Sequence, residues 1–151
     1  MSFDRRRRKS KMQNNPEERL QEILVKHPEF PLAAYHAIHK GLDHTIKMKG
    51  AVGHVSGQEL ALGMAAYLRD DFGPFARIVL DGWGVSSTAD IGKLVYNLIE
   101  GRLMRKQEAD AITDFANVYD FEDVFGGGYD WLEEIRSEHG LQPNKTQKPI
   151  V

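Results

Sequence analysis

The sequence contains no cysteine, which excludes disulfides, thiolate metal sites and cysteine nucleophiles. It also has no apolar run near the roughly 18 residues that a membrane span needs, and no apolar segment follows the charged N-terminus to form a signal peptide. We therefore expect a soluble, cytoplasmic protein. Nucleophile elbows, HExxH pairs and phosphate-binding loops are missing as well, which favours a non-enzymatic role.

Positive charge is absent from one long stretch. Between Gln107 and Ile135 there are nine acidic residues and no lysine or arginine. The first eleven residues show the opposite bias, because they hold six cations and a single acid, Asp4. Residues 12–151 consequently carry 14 basic and 21 acidic residues, a net charge of −7. We expect any binding partner to be complementary in charge to one of these two blocks.

The basic block forms a tail. Residues 1–14 are polar and poor in apolar side chains, so we predict that they are disordered. Clustered cations neutralise phosphates and give salt-sensitive, sequence-independent binding to RNA, DNA or an anionic membrane. The alternative is a solvated tail that folds back on the acidic 107–135 stretch. The predicted nucleic-acid-binding residues are Arg5, Arg6, Arg7, Arg8, Lys9 and Lys11.

The length and a hydrophobic content of 41% suit one globular domain, which we place at residues 15–125. Helix start and stop signals outline its first half. Those signals are Asn15-Pro16 for a first helix, Pro31 and Gly50 for the ends of a second, and a Ser56–Glu59 capping box with Gly73-Pro74 for a third.

The second half of the domain predicts a winged helix-turn-helix. A short apolar helix over residues 74–81 and a turn at 82–85 precede an amphipathic helix, whose apolar stripe is Ile91, Leu94, Val95, Leu98 and Ile99. Leu103–Lys106 and Asp114–Phe121 then favour two strands of a hairpin. We predict a mainly α fold with a small β-hairpin, with a winged-helix-like core at 53–125, extra N-terminal helices, and a short helix and loose tail at 126–151.

The polar face of the amphipathic helix is the predicted protein-interaction surface, through Lys93, Tyr96, Asn97 and Glu100. Sequence-specific DNA reading is disfavoured, because this face is nearly neutral and the presumed wing at 107–114 holds three acids. A purely structural subunit that forms a homo-oligomer is a further possibility.

Metal and cofactor sites are not predicted. His36 and His44 of the second helix share a polar stripe with lysines, whereas His39 lies on the apolar side. No carboxylate completes a ligand set with these histidines or with His54, which follows the helix. The alternative to a binding module is a small metal-assisted enzyme that uses the acidic cluster Asp120, Glu122 and Asp123 beside Tyr119.

Four phrases carry a resemblance to a known family: HVSGQEL, FGPFARIVLDGWGV, ADIGKLVYNLIEGRLM and DFANVYDFEDVF. They resemble an uncharacterised family of proteins found mainly in planctomycete and verrucomicrobial bacteria. The resemblance covers about residues 28–125 and implies a bacterial cytoplasmic setting, with no catalytic residue to transfer. The arginine-rich start and the segment after Phe125 lie outside it.

Overall fold

The computed structural model describes residues 15–50 and 54–126. Over these ranges the chain is mainly helical, as predicted. Its helices are α1 (Pro16–Lys26), α2 (Leu32–Lys49), α3 (Gly57–Phe72), α4 (Ala76–Gly82), α5 (Thr88–Glu100) and α6 (Phe121–Phe125), with 3₁₀ turns at Gly73–Phe75 and Ile112–Phe115.

The capping signals read from the sequence are confirmed. The Asn15 side chain accepts a hydrogen bond of 3.0 Å from the backbone N–H of Glu17 at the start of α1. Gly50 ends α2 in the left-handed conformation, with φ of 67°. Ser56 and Glu59 form both hydrogen bonds of the capping box, each of 3.1 Å. Local chemistry therefore sets one end of each of the first three helices.

Helices α2 and α3 pack closely because glycines lie between them. A side chain at Gly41 would collide with the sulfur of Met64, and one at Gly63 would collide with the hydroxyl of Thr45. Thr45 is buried and donates a 2.6 Å hydrogen bond to the carbonyl of Gly41, so its hydroxyl is satisfied inside α2. The small residues bring the two helices near enough for their apolar faces to form one core.

Helix α5 buries the stripe that its spacing predicts. Its apolar side chains face α2 and the 3₁₀ turn at Ile112–Phe115; Ile91, Leu94, Val95 and Leu98 are buried and Ile99 is partly buried. Asn97 is also buried, and its amide donates a 3.0 Å hydrogen bond to the hydroxyl of Tyr35 on α2. The prediction that Asn97 faces outward is therefore wrong, because the buried face of α5 extends beyond the apolar stripe.

The predicted hairpin does not form. No strand is present in residues 54–126; Leu103–Lys106 is irregular, and Asp114–Phe121 holds the end of a 3₁₀ turn, a loop and the first residue of α6. A winged helix-turn-helix requires that hairpin as its wing, so this part of the fold prediction is also wrong.

Competing hydrogen bonds explain why strands do not pair here. The backbone N–H of Leu103 donates to the carbonyl of Leu98 at 2.8 Å, which continues the end of α5. The hydroxyl of Thr88 donates to the carbonyl of Phe115 at 2.6 Å and accepts from the N–H of Val118 at 3.2 Å. Groups that a β-ladder would need are thus already bonded, and the strand-favouring aromatics pack on helices instead.

None of the helices within the described ranges is both long and apolar enough to cross a membrane. The predictions for the basic tail and for the C-terminal helix and tail fall at residues 1–14 and 127–151, which lie outside the described residues.

Candidate functional site

A pocket of about 280 Å³ opens between α2, the start of α3, α5 and the loop that follows α5. We call it the α5 pocket. Most of its wall is apolar and comprises Leu42, Ile46, Val55, Leu60, Val95, Ile99, Leu103, Met104 and Phe115. Polar side chains also line it, namely His39, His54, Ser56, Tyr96, Arg105, Lys106, Asp110 and Asp114. An apolar concavity with a few convergent polar groups is the usual form of a small-molecule site.

Phe115 fixes one wall of the α5 pocket. A Cβ built at Gly57 would lie 2.9 Å from its ring, and a Cβ built at Gly92 would lie 2.8 Å from its own Cβ. The two glycines therefore let the 3₁₀ turn approach both α3 and α5. This close approach turns the loop after α5 back over the helices and forms one side of the pocket.

His54 and Asp110 form a pair at the pocket, although 56 residues separate them in sequence. The His54 Nε2 atom lies 2.9 Å from Asp110 Oδ1 and 2.8 Å from Oδ2. Asp110 Oδ2 also accepts a 2.8 Å hydrogen bond from the backbone N–H of Gln107. Burial opposes ionisation of Asp110, but the hydrogen bonds from Gln107 and His54 outweigh it and hold its pKa below the ordinary value.

The backbone of His54 is held from the other side. Lys49, in the last turn of α2, donates from Nζ to the carbonyl of His54 at 2.8 Å and pairs with the carboxylate of Glu59 at 3.1 Å. Glu59 belongs to the capping box of α3, so the end of α2, the residue His54 and the start of α3 are joined at one edge of the pocket.

Tyr96 contributes a donor that has no acceptor. Its hydroxyl oxygen is buried and makes no hydrogen bond to any residue in the described part of the chain. Burial raises the pKa of Tyr96, and the nearby carboxylates of Asp110 and Asp114 raise it further. The phenol therefore stays protonated at neutral pH and presents an O–H beside the pocket.

The remaining polar groups differ in exposure. Burial lowers the pKa of His39, with Asp43 opposing and His36 adding to the effect, so its imidazole is neutral at neutral pH.

Arg105 and Lys106 are exposed and form no ion pair with a residue in the described ranges. Two uncommitted cations thus stand at the edge of an apolar cavity.

The four residues predicted as a protein-interaction surface do not share one free face. Lys93 is exposed and pairs with Asp90 at 3.4 Å. Glu100 pairs with Lys26 and also lies 3.3 Å from His27 Nε2. Asn97 is buried and Tyr96 lines the α5 pocket. Only Lys93 and Glu100 of the set are therefore exposed to solvent.

The acidic cluster near the end of the described chain serves structural roles. Asp120 caps α6 by accepting a 2.7 Å hydrogen bond from the N–H of Glu122. Glu122 forms an ion pair of 3.4 Å with Arg77, and Asp123 is exposed. In the part of the chain that the structure describes, no group of three or more histidine, aspartate or glutamate side chains is arranged to hold a metal ion.

Sequence reasoning missed the α5 pocket. His54, Tyr96 and Asp110 lie in three separate elements, and the loop after α5 brings them together only once it folds over Phe115. The one available signal was Tyr96 beside the apolar stripe, where a phenol at the stripe edge suits a site that is apolar on one side and polar on the other.

No protein-family model, curated protein or solved structure matches this chain. The family resemblance given above therefore stays a prediction, and function has to be inferred from the site itself.

Proposed function

We propose that this chain is a non-enzymatic binding module whose helical body binds a small molecule in the α5 pocket. The observation that supports this most is the buried hydroxyl of Tyr96 at the pocket, which has no hydrogen-bond partner in residues 15–50 and 54–126. Buried polar groups in native proteins nearly always have a hydrogen-bond partner. An acceptor atom on a bound ligand would supply the hydrogen-bond partner that the Tyr96 hydroxyl otherwise lacks among the described residues.

Binding is favoured over catalysis by the roles of the neighbouring groups. His54 and Asp110 resemble a base and its orienting carboxylate, but Ser56, the hydroxyl residue closest in sequence, accepts from the N–H of Glu59 and caps α3. The histidine–aspartate pair instead joins the loop after α5 to the segment before α3. Its role in the proposal is to hold the pocket in shape.

The test is a two-dimensional amide NMR titration of the full chain with phenylacetate, phenylacetamide and phenethylamine. Saturable shifts grouped on residues of the α5 pocket are expected for at least one probe. Ala111→Phe fills the pocket from its exposed edge and should abolish the shifts, whereas Ala109→Phe, on an exposed residue that does not line the pocket, should leave them intact. Saturable shifts elsewhere, or the same response in both variants, would contradict the proposal.

A second activity is proposed for the basic tail. Its six cations within seven residues contrast with the net charge of −7 over residues 12–151, which favours non-specific binding to RNA or DNA through phosphates. Fluorescence anisotropy with single-stranded RNA and duplex DNA should show binding at low salt that weakens steeply with added salt. Unchanged binding after deletion of residues 1–11 would remove the tail from the proposal.

In this proposal the acidic body also binds a protein partner. Charge complementarity favours a partner with a basic surface. The proposal assumes a bacterial cytoplasmic setting. Affinity capture with nuclease treatment, carried out at low and high salt, tests this activity: a partner retained after nuclease treatment and released by salt is expected. A partner lost with nuclease alone would have been held by nucleic acid.

A further inference from the structure

Three of the four carboxylate oxygens of Asp110 and Asp114, which line the α5 pocket, already accept hydrogen bonds. Both oxygens of Asp110 face His54, and one also accepts from the N–H of Gln107. Asp114 accepts a 3.0 Å hydrogen bond from the backbone N–H of Ala111. The carboxylates of the pocket are thus committed to holding the loop after α5.

The uncommitted groups are donors. Among the described residues, the Tyr96 hydroxyl has no hydrogen-bond partner, and Arg105 and Lys106 make no ion pair. Asp110 lies close enough to Tyr96 and to Lys106 to interact electrostatically with both, which places these two side chains around the same carboxylate. The pocket therefore combines an apolar wall with a cluster of donors, two of them positively charged.

The volume of the α5 pocket indicates the size of the group that it can hold, although the pocket is open to solvent on one side. Its volume of about 280 Å³ is nearly twice that of an apolar cavity of roughly 150 Å³ that accommodates one benzene molecule. One ring with a short side chain, or a short branched chain, fills such a space.

We propose that the α5 pocket binds a small carboxylic acid with a hydrocarbon body. The hydrocarbon lies against the apolar wall, and the carboxylate accepts from the Tyr96 hydroxyl and pairs with Arg105 and Lys106. Hydrogen bonds to an ionised acceptor are stronger than those to a neutral one, so the charged end gives selectivity as well as affinity. This inference rests on the proposed small-molecule function and names its ligand class.

The competing ligand is an amine. Asp110 and Asp114 line the same pocket and would attract an ammonium group, whereas they repel a carboxylate. The acid is favoured because both carboxylates accept hydrogen bonds from the protein, whereas the two cations form no ion pair and the phenol forms no hydrogen bond with a described residue. An amine would leave the Tyr96 O–H without an acceptor.

Isothermal titration calorimetry of the full chain decides between these ligands with three probes of nearly equal shape: phenylacetate, phenylacetamide and phenethylamine. Phenylacetate should bind about tenfold tighter than phenylacetamide. Replacing the amide by a carboxylate makes the hydrogen bond from Tyr96 charge-assisted and adds a partly screened ion pair, which together account for a difference of this size. Phenethylamine should bind more weakly than either.

Variants assign the selectivity to residues. The double variant Arg105→Gln and Lys106→Gln should weaken phenylacetate toward the affinity of the amide and leave phenylacetamide unchanged. Tyr96→Phe should weaken both, because the hydroxyl donates to either acceptor. Lys47→Gln removes one exposed charge from α2 away from the pocket lining and should change neither affinity.

The outcomes separate the two proposals. Equal binding of acid and amide, or tighter binding of the amine, overturns the ligand class while pocket binding itself stands. Binding of phenylacetate that is blocked by Ala111→Phe but insensitive to the Arg105 and Lys106 changes also overturns it. No binding of any probe at the pocket overturns the proposed small-molecule function and this inference with it.

Discussion

The hydroxyl of Thr88 donates a 2.6 Å hydrogen bond to the carbonyl of Phe115, 27 residues away, and both residues are buried. The same oxygen accepts from the N–H of Val118. One side chain at the start of α5 thus satisfies two backbone groups of the segment that follows the loop after α5 and contributes Phe115 to the pocket wall.

Thr88→Val should destabilise the protein by about 1–3 kcal/mol, because it keeps the shape of the side chain but leaves a buried carbonyl without a donor. Urea unfolding followed by circular dichroism measures the change. Thr113→Val is the matched control, since Thr113 is exposed, and it should alter stability by less than about 0.5 kcal/mol. Equal effects of the two substitutions would mean that the Thr88 bond contributes nothing specific.

Two tyrosine-to-phenylalanine substitutions should differ in their effect on stability. Tyr35→Phe leaves the buried Asn97 amide without its partner and should cost about 1–3 kcal/mol. Tyr96→Phe removes a buried hydroxyl that has no partner among the described residues, so the free energy of unfolding should stay the same or rise by up to about 1 kcal/mol. Chemical denaturation of both variants without added ligand provides the comparison. A marked loss of stability in Tyr96→Phe would show that the hydroxyl already has a partner.

Glycine substitutions test the contact between α2 and α3. Gly63→Ala should destabilise the fold by about 1–3 kcal/mol, because the new methyl group collides with Thr45, whose hydroxyl is held by its own hydrogen bond. Gly82→Ala places a methyl group where no atom of another part of the described chain lies within 4 Å. As alanine favours helix more than glycine does, that control should be neutral or stabilising. Thermal unfolding of both variants measures the difference.

The Asp110 carboxylate predicts a dependence of stability on pH. Its pKa is depressed in the folded protein, so its ionised form stabilises the fold above the ordinary aspartate pKa of about 3.9, and that contribution is lost as the pH falls through the folded value. The difference in unfolding free energy between the wild type and Asp110→Asn should therefore shrink between pH 6 and pH 3.

The control for this prediction is Asp123→Asn, which removes an exposed carboxylate from α6. Denaturation midpoints of the three proteins at each pH supply the data. A gap between wild type and Asp110→Asn that stays constant, or widens toward pH 3, would contradict the depressed pKa.

The helices of this protein follow from local sequence, whereas the pocket does not. Proline at the first helical position, the Ser56–Glu59 box and the left-handed Gly50 act within a few residues, so they can be read directly from the sequence. Val118, Tyr119 and Phe121 favour strands on the same local evidence, yet Thr88 and the helix surfaces provide better partners for that segment. Tertiary contacts overrode the propensity, and the same contacts assembled the site.

The buried pair of Asn97 and Tyr35 has a consequence for how α5 sits on α2. Apolar stripes such as that of α5 tolerate small rotations and shifts along a neighbouring helix, because dispersion contacts have little directionality. A buried amide and a buried phenol bond to each other only at one alignment, and any slip breaks that hydrogen bond. Like an asparagine at the interface of a coiled coil, this pair selects a single register from several that hydrophobicity alone would accept.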